Sequence, residues 1–154
     1  MANPVLFTSL PPREAIADAL HRCILGIDSN NQPLFESACL KTEEMTWTGN
    51  GFNIQGWTAI KALFDRLFVL VTTHTISGIR VEVEDGASEA VLTAHAMSYH
   101  VRPEDAFIKE DTSYTASSLY TLGLVKDVGD GLWKIKRWEA EVLWTTGDRG
   151  VLQS

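Results

Sequence analysis

The sequence of 154 residues lacks the features that mark several large classes of protein. It has no excess of basic residues, since 13 Lys and Arg stand against 20 Asp and Glu and give a net charge of −7. A chain this acidic repels phosphate backbones, which argues against a nucleic-acid partner. No apolar run approaches the roughly 20 residues that a membrane helix needs, and the first residues lack a signal-peptide pattern. We therefore expect a cytoplasmic protein with no membrane partner.

Motifs for metals, phosphates and activated serines are also missing. The two cysteines, Cys23 and Cys39, are too few for a disulfide framework or a metal quartet, so we expect free thiols. The four histidines follow no common zinc-binding spacing, and neither a glycine-rich phosphate loop nor a G-x-S-x-G elbow occurs. The sequence thus predicts no metal and no cofactor. Proton transfer is the chemistry that its side chains can support.

What the chain does have is a helical first half and a β-rich second half, an order typical of α+β folds. Apolar residues at helical spacing predict three helices in the first half, and after Thr72 the period changes to two. The long strands are expected around Ile79–Val83 and at Ala90–Val101, Thr112–Lys126 and Leu132–Trp144. Such a sheet must curl around the helices. We expect a single domain over residues 1–154, with a cavity between the sheet and the helices.

Three residues are candidates for acid/base chemistry. His74 lies where the first long strand begins, and an imidazole there either transfers protons or forms hydrogen bonds at a strand edge. Asp28 ends the first helix, where it either braces an imidazole or serves as a turn or cap residue. His100 follows small residues on the inward face of its strand, and it either meets a ligand or is a buried structural histidine.

Other residues are expected to line the cavity. By strand parity, Ser118 and Tyr120 face inward and could offer hydroxyl groups to a substrate. Trp47, Phe64 and Trp144 are expected to add apolar walls. The outer face of the sheet, which could form a homodimer contact, is predicted to carry Thr93, His95, Met97, Tyr99, Trp133 and Ile135. The charged loop Arg102–Asp111, with Phe107 and Ile108, is either a lid over the cavity or a solvated connection.

The order of these features resembles a known family. The features that carry the resemblance extend over Arg13–Gly147. In chain order they are a helix, an Asp, a short helix, a Trp-bearing strand, a Gly-Trp-x-x-Ile helix, Thr-Thr-His, four strands and Asp-Gly-Leu-Trp-Lys-Ile. This order is similar to that of the SnoaL-like, nuclear-transport-factor-like superfamily, and within it to the scytalone dehydratase-like branch. The resemblance implies a cone-shaped α+β barrel in which a curved, mainly antiparallel sheet wraps three N-terminal helices.

The resemblance also assigns roles to residues. The catalytic Asp of the dehydratase falls on Asp28, its two histidines fall on His74 and His100, and a serine falls near Ser118. The implied activity is that of a cofactor-independent isomerase, cyclase or dehydratase acting on a polycyclic, polyketide- or terpenoid-like intermediate, in a homodimer. Two other readings remain open: a non-catalytic small-molecule-binding or dimerisation module, and a hydrolase in which the same Asp–His pair activates water.

The chain departs from the dehydratase pattern at three positions. Ile27 and Trp47 stand where the dehydratase has tyrosines, and Tyr120 stands where it has an asparagine. The tyrosines hold a carbonyl-polarising water in that enzyme. We therefore expect a substrate other than scytalone.

Overall fold

The computed structural model describes residues 3–107 and 112–153 of the chain. The helices in this part are α1 (Pro12–Asp28), α2 (Gln32–Ser37) and α3 (Trp57–Asp65). The strands are β1 (Thr46–Gly49), β2 (Phe52–Gln55), β3 (Val71–Glu82), β4 (Glu89–Val101), β5 (Ser113–Lys126) and β6 (Trp133–Gly147). The α+β class predicted from the sequence is confirmed.

The strands form one six-stranded sheet in the order β2-β1-β6-β5-β4-β3. All neighbours are antiparallel except β1 and β6, which run parallel. The register of the long strands shifts between Ser77 and Arg80, between Ser117 and Ser118, and between Gly123 and Leu124. Irregularities of this kind bend strands and increase their twist, which lets the sheet curve around the helices. The curved, mainly antiparallel sheet predicted from the sequence is confirmed.

The core lies between the helices and the concave face of the sheet. The predicted apolar stripe of α1, which includes Ile16, Leu20, Cys23 and Ile27, is buried. In β4, burial alternates with every residue, as expected for a strand with one face toward the core. The buried residues of that strand are Ala90, Leu92, Ala94, Ala96, Ser98 and His100. The inward face predicted for β4 is therefore confirmed.

The predicted orientation of two residues in β6 is wrong. Trp133 and Ile135 were expected on the open face of the sheet, but they are 4% and 0% exposed. Strand parity fails because the register shifts at this point: Leu124 pairs with Ile135, while Gly123 pairs with Arg137. In addition, the backbone of Ile135 hydrogen-bonds to Ala38 and Leu40, so the chain after α2 covers this end of β6.

The remaining outer-face residues and the described start of the loop after β4 lie largely at the surface, although Met97 is half-buried and Asp105 is buried. Thr93, His95 and Tyr99 are exposed, and their use in a homodimer contact stays a prediction. The loop begins with a short 3₁₀ turn at Pro103–Asp105, and the side chain of Phe107 is 99% exposed. The rest of the predicted loop, including Ile108, lies outside the described residues.

A buried arginine ties three elements together. Arg22 of α1 is 4% exposed, and its Nε donates to Asp18 at 2.8 Å. Its two terminal nitrogens donate to the carbonyl oxygens of Ser37 at 2.6 Å and Trp133 at 2.7 Å. Arg22 therefore joins α1 to the end of α2 and the start of β6, next to the helix end that carries Asp28.

We expect Arg22→Met to lower the free energy of unfolding by about 3 kcal/mol, because the buried partners of the guanidinium would lose their donor. The measurement is urea unfolding of the two proteins at neutral pH. Arg80→Met, on the exposed side of β3, is the matched control and should stay within about 0.5 kcal/mol of wild type. Equal losses for the two variants would contradict the anchoring role of Arg22.

Candidate active site

The end of α1 aims the Asp28 carboxylate at the sheet. Asp28 is the last residue of the helix, and Asn30 then takes a left-handed conformation with φ of 52°. The side chain of Asn31 caps α2 by accepting a hydrogen bond from the backbone N–H of Leu34 at 3.1 Å. Because Asn31 provides this cap, the carboxylate of Asp28 is left for contacts with β3.

Close packing of the first two helices also fixes this helix end. A Cβ atom placed on Gly26 would lie 2.4 Å from the backbone nitrogen of Phe35, so only glycine allows this approach. Phe35 is itself fully buried. The position of Asp28, two residues later, is therefore set by a backbone-to-backbone contact.

The Asp28 carboxylate accepts three hydrogen bonds from β3. The side-chain hydroxyl of Thr72 donates to Oδ1 at 2.8 Å, and the backbone N–H of His74 donates to Oδ2 at 2.7 Å. The Nδ1 atom of His74 lies 2.7 Å from Oδ1. Burial opposes ionisation of Asp28, but the bonds from His74 and Thr72 outweigh it and hold the pKa of Asp28 below its usual range. The carboxylate is therefore ionised at neutral pH.

This contact fixes the tautomer of His74. An ionised carboxylate can only accept hydrogen bonds, so Nδ1 of His74 carries a hydrogen and Nε2 is left as the reactive nitrogen. The side chain of His74 is 5% exposed and lines a cavity. The pair thus has the geometry of a carboxylate-braced general base.

His100 lies beside this pair in a different electrostatic state. The ring centroids of the two histidines are 5.9 Å apart, and Nδ1 of His100 donates to the carbonyl oxygen of Tyr114 at 3.2 Å. Burial lowers the pKa of His100 to about 4. His100 is therefore neutral near pH 7, and its Nε2 atom offers a lone pair rather than a proton. Of the roles open to a histidine that lines a cavity, this geometry therefore favours that of a hydrogen-bond acceptor.

The cavity between the sheet and α3 has a volume of about 510 Å³. Most of its wall is apolar, and its polar groups are few, as in small-molecule sites. Four candidates from the sequence besides the histidines line it, namely Trp47, Phe64, Ser118 and Tyr120. Burial raises the pKa of Tyr120 far above its ordinary value, so its hydroxyl stays protonated and can donate a hydrogen bond.

One sequence candidate lies elsewhere, and several lining residues were not anticipated. Trp144 is 51% exposed and does not line this cavity. Trp138 and Ser98 line the cavity but were not candidates, and Thr72 supports Asp28 from β3. Inward parity in β4 could have pointed to Ser98. The sequence did not point to Trp138, because the register shift in β6 changes which residues of that strand face inward.

The described ranges, 3–107 and 112–153, contain no cluster of three or more His, Cys, Asp or Glu side chains arranged to hold a metal ion. In the same part of the chain, no helix has the length and apolar character needed to cross a membrane.

The curved sheet over three helices and the cavity between them define a small-molecule-binding cone fold. The sequence matches the SnoaL-like domain over residues 8–139, so the chain belongs to this family. It is also 36% identical over 156 residues to terrestric acid biosynthesis cluster protein E of Penicillium crustosum, with 98% of each chain covered. The family predicted from the sequence is confirmed.

Solved structures share the fold at lower identity. A candidate scytalone dehydratase from Novosphingobium aromaticivorans superposes with a TM-score of 0.72, at 22% identity, over 88% of this chain and 87% of that one. A nuclear transport factor 2-like protein from Salmonella enterica superposes with a TM-score of 0.69, at 15% identity, over 89% of this chain and 94% of that one. Both show the same cone fold.

The neutral state of His100 predicts a particular pH dependence of stability. A folded-state pKa of about 4, against about 6.5 in the unfolded chain, means that unfolding takes up a proton between these values. The free energy of unfolding should therefore decrease as the pH is lowered from about 6.5 to about 4, by about 3 kcal/mol from this group alone. We expect His100→Gln, which keeps a donor for Tyr114, to remove this part of the pH dependence.

Chemical denaturation at a series of pH values measures the effect, and an NMR titration of the His100 ring measures its pKa directly. Parallel stability curves for wild type and His100→Gln would contradict the assignment, as would a ring that titrates near its ordinary pKa.

Proposed function

We propose that the protein is a cofactor-independent acid/base isomerase, cyclase or dehydratase acting on a polycyclic, polyketide- or terpenoid-like intermediate of secondary metabolism. The observation that carries the proposal is the 2.7 Å contact between the Asp28 carboxylate and Nδ1 of His74, at the wall of an apolar cavity. A base that is held in one tautomer and shielded from bulk water is suited to proton abstraction next to a carbonyl group.

The family and the curated relative support this class of function. The SnoaL-like family includes isomerases, cyclases and dehydratases, and the relative at 36% identity belongs to the biosynthesis cluster for terrestric acid. A role in a secondary-metabolite cluster agrees with both. The proposal extends this role to proton transfer by named residues.

In the proposed mechanism, His74 moves one proton. Its Nε2 atom takes the proton from a carbon next to the substrate carbonyl, and the electron pair of the C–H bond moves toward the carbonyl oxygen to form an enolate. The imidazolium that results is stabilised by the charge of Asp28. It then returns the proton either to another carbon, which gives isomerisation, or to a departing hydroxyl group, which leaves as water.

The other lining groups would orient the substrate. The neutral His100 would accept a hydrogen bond from a substrate hydroxyl through Nε2. The hydroxyl groups of Ser118 and Tyr120 would donate to the carbonyl oxygen on which charge develops. Trp47 and Phe64, whose rings meet edge to face at 6.4 Å, would enclose the ring system of the substrate.

We expect His74→Ala to lower the rate of the proposed reaction by about 10²–10⁴-fold, the contribution of a positioned general base. The measurement compares metabolite profiles of a producing host that carries either wild type or the variant. The substrate of the reaction should accumulate in the variant, and its mass should equal that of the product for isomerisation or exceed it by one water for dehydration.

His21→Ala is the matched control, because His21 is an exposed histidine of α1 outside the cavity. It should leave the profile unchanged. An unchanged profile in folded His74→Ala would overturn the catalytic proposal and would favour a binding module of the same fold.

A further inference from the structure

Thr72 contacts the Asp28–His74 pair but takes no part in the proposed proton transfer. It lies on β3 two residues before His74, so both side chains are on the inward face of the strand. Thr72 is 5% exposed, and its hydroxyl donates to Oδ1 of Asp28 at 2.8 Å. Nδ1 of His74 lies 2.7 Å from the same oxygen. One carboxylate oxygen is therefore shared by the threonine and the imidazole.

The edge position of β3 lets one carboxylate collect three donors. β3 is the last strand in the order of the sheet, so the backbone N–H of His74 can turn away from the sheet to Oδ2 of Asp28, at 2.7 Å. Two of the donors thus belong to His74. Among the described residues, the hydroxyl of Thr72 is the only donor to Asp28 from another residue. Thr72 is therefore the group through which the carboxylate can be perturbed while His74 stays intact.

The charge of Asp28 depends on these bonds. In the described part of the chain its ion-pair partner is His74, and no Lys or Arg side chain forms an ion pair with it. The other titratable groups that interact with this charge are Cys23 of α1, His100 of β4 and Tyr120 of β5. Burial raises the pKa values of Cys23 and Tyr120 and lowers that of His100, so all three are neutral near pH 7. None of them therefore compensates the carboxylate.

The hydroxyl of Thr72 also affects where a proton rests within the pair. A donor to a carboxylate oxygen stabilises the charged form and makes the oxygen a weaker base. Once Nε2 of His74 has taken a substrate proton, the Nδ1 proton lies between a charged ring and an oxygen 2.7 Å away. If Asp28 took that proton, the ring would become neutral and its Nε2–H group a much weaker acid. The return of the proton to the substrate would then be slowed.

We propose that Thr72 is a positioning residue: its hydroxyl holds Oδ1 of Asp28 against Nδ1 of His74 and keeps the Nδ1 proton on the imidazole while Nε2 takes and returns the substrate proton. This inference rests on the proposed function for the step at Nε2. It adds a residue that acts on the reaction only through Asp28.

The test compares variants of β3 that differ by one hydroxyl group. Thr72→Val removes the hydroxyl and keeps a branched side chain, whereas Thr72→Ser keeps the hydroxyl. Thr73→Val is the matched control, because Thr73 is exposed on the opposite face of the same strand. The first readout is a carboxyl-carbon NMR titration, in which the Asp28 signal is identified by its loss in Asp28→Asn.

We expect the carboxylate of Asp28 to bind its proton roughly ten-fold more tightly in Thr72→Val, the effect of one hydrogen bond to a charged group. The pKa of Asp28 should therefore rise in this variant and stay at the wild-type value in Thr72→Ser and Thr73→Val. The second readout is the metabolite profile of the producing host. Product formation should fall by about ten-fold in Thr72→Val, less than in His74→Ala, and should be restored in Thr72→Ser.

An Asp28 titration in folded Thr72→Val that matches wild type would overturn the proposal, as would undiminished product formation or a serine variant that restores neither readout. Thr72→Ala removes the same hydroxyl with less bulk and is read in the same way if the valine variant does not fold. The titration needs no substrate, so it judges Thr72 separately from the catalytic proposal. A raised Asp28 pKa in Thr72→Val with an unchanged profile in His74→Ala would support the positioning of the pair and overturn only its catalytic function.

Discussion

The contact between Asp28 and His74 is the interaction on which the site depends. It joins the end of α1 to β3 through three hydrogen bonds to one carboxylate, and these bonds hold the pKa of Asp28 low against the effect of burial. The same contact sets the tautomer of His74, so structural support and chemical orientation come from one group. If the carboxylate were lost, the helix end would lose its contacts with the strand, and the imidazole would lose its fixed direction.

The two histidines of the cavity differ because their partners differ. Nδ1 of His74 faces an ionised carboxylate, whereas Nδ1 of His100 faces a neutral carbonyl oxygen. Burial without a compensating charge lowers the pKa of His100 to about 4. In the proposed mechanism a single proton would move through His74, while the neutral His100 would act only as a hydrogen-bond acceptor. The two imidazoles of one cavity thus differ in their proposed roles because the hydrogen-bond partner of Nδ1 differs between them.

Much of this arrangement was predictable from the sequence, and the remainder depends on tertiary contacts. The change from helical to alternating period located the long strands, and parity placed His100, Ser118 and Tyr120 on the inward face. Parity failed in β6, where a register shift turns Ile135 inward and also brings Trp138 to the cavity. No local sequence pattern predicts such a register shift, because the shift depends on how β5 and β6 pair. Likewise, the contact of Gly26 with the backbone of Phe35 emerges only when both helices are packed.

The proposed chemistry and the proposed substrate contacts lie mainly on different elements of this fold. The proposed acid/base pair is on α1 and β3, whereas the aromatic wall of the cavity, with Trp47, Phe64 and Trp138, is built from β1, α3 and β6. Residues of this aromatic wall can change without disturbing the hydrogen bonds that orient His74, because the bonds to Asp28 come from Thr72 and from His74 itself. A difference from the dehydratase pattern at Trp47 would then alter which molecule fits. A fold divided in this way can keep one kind of proton transfer and apply it to different ring systems.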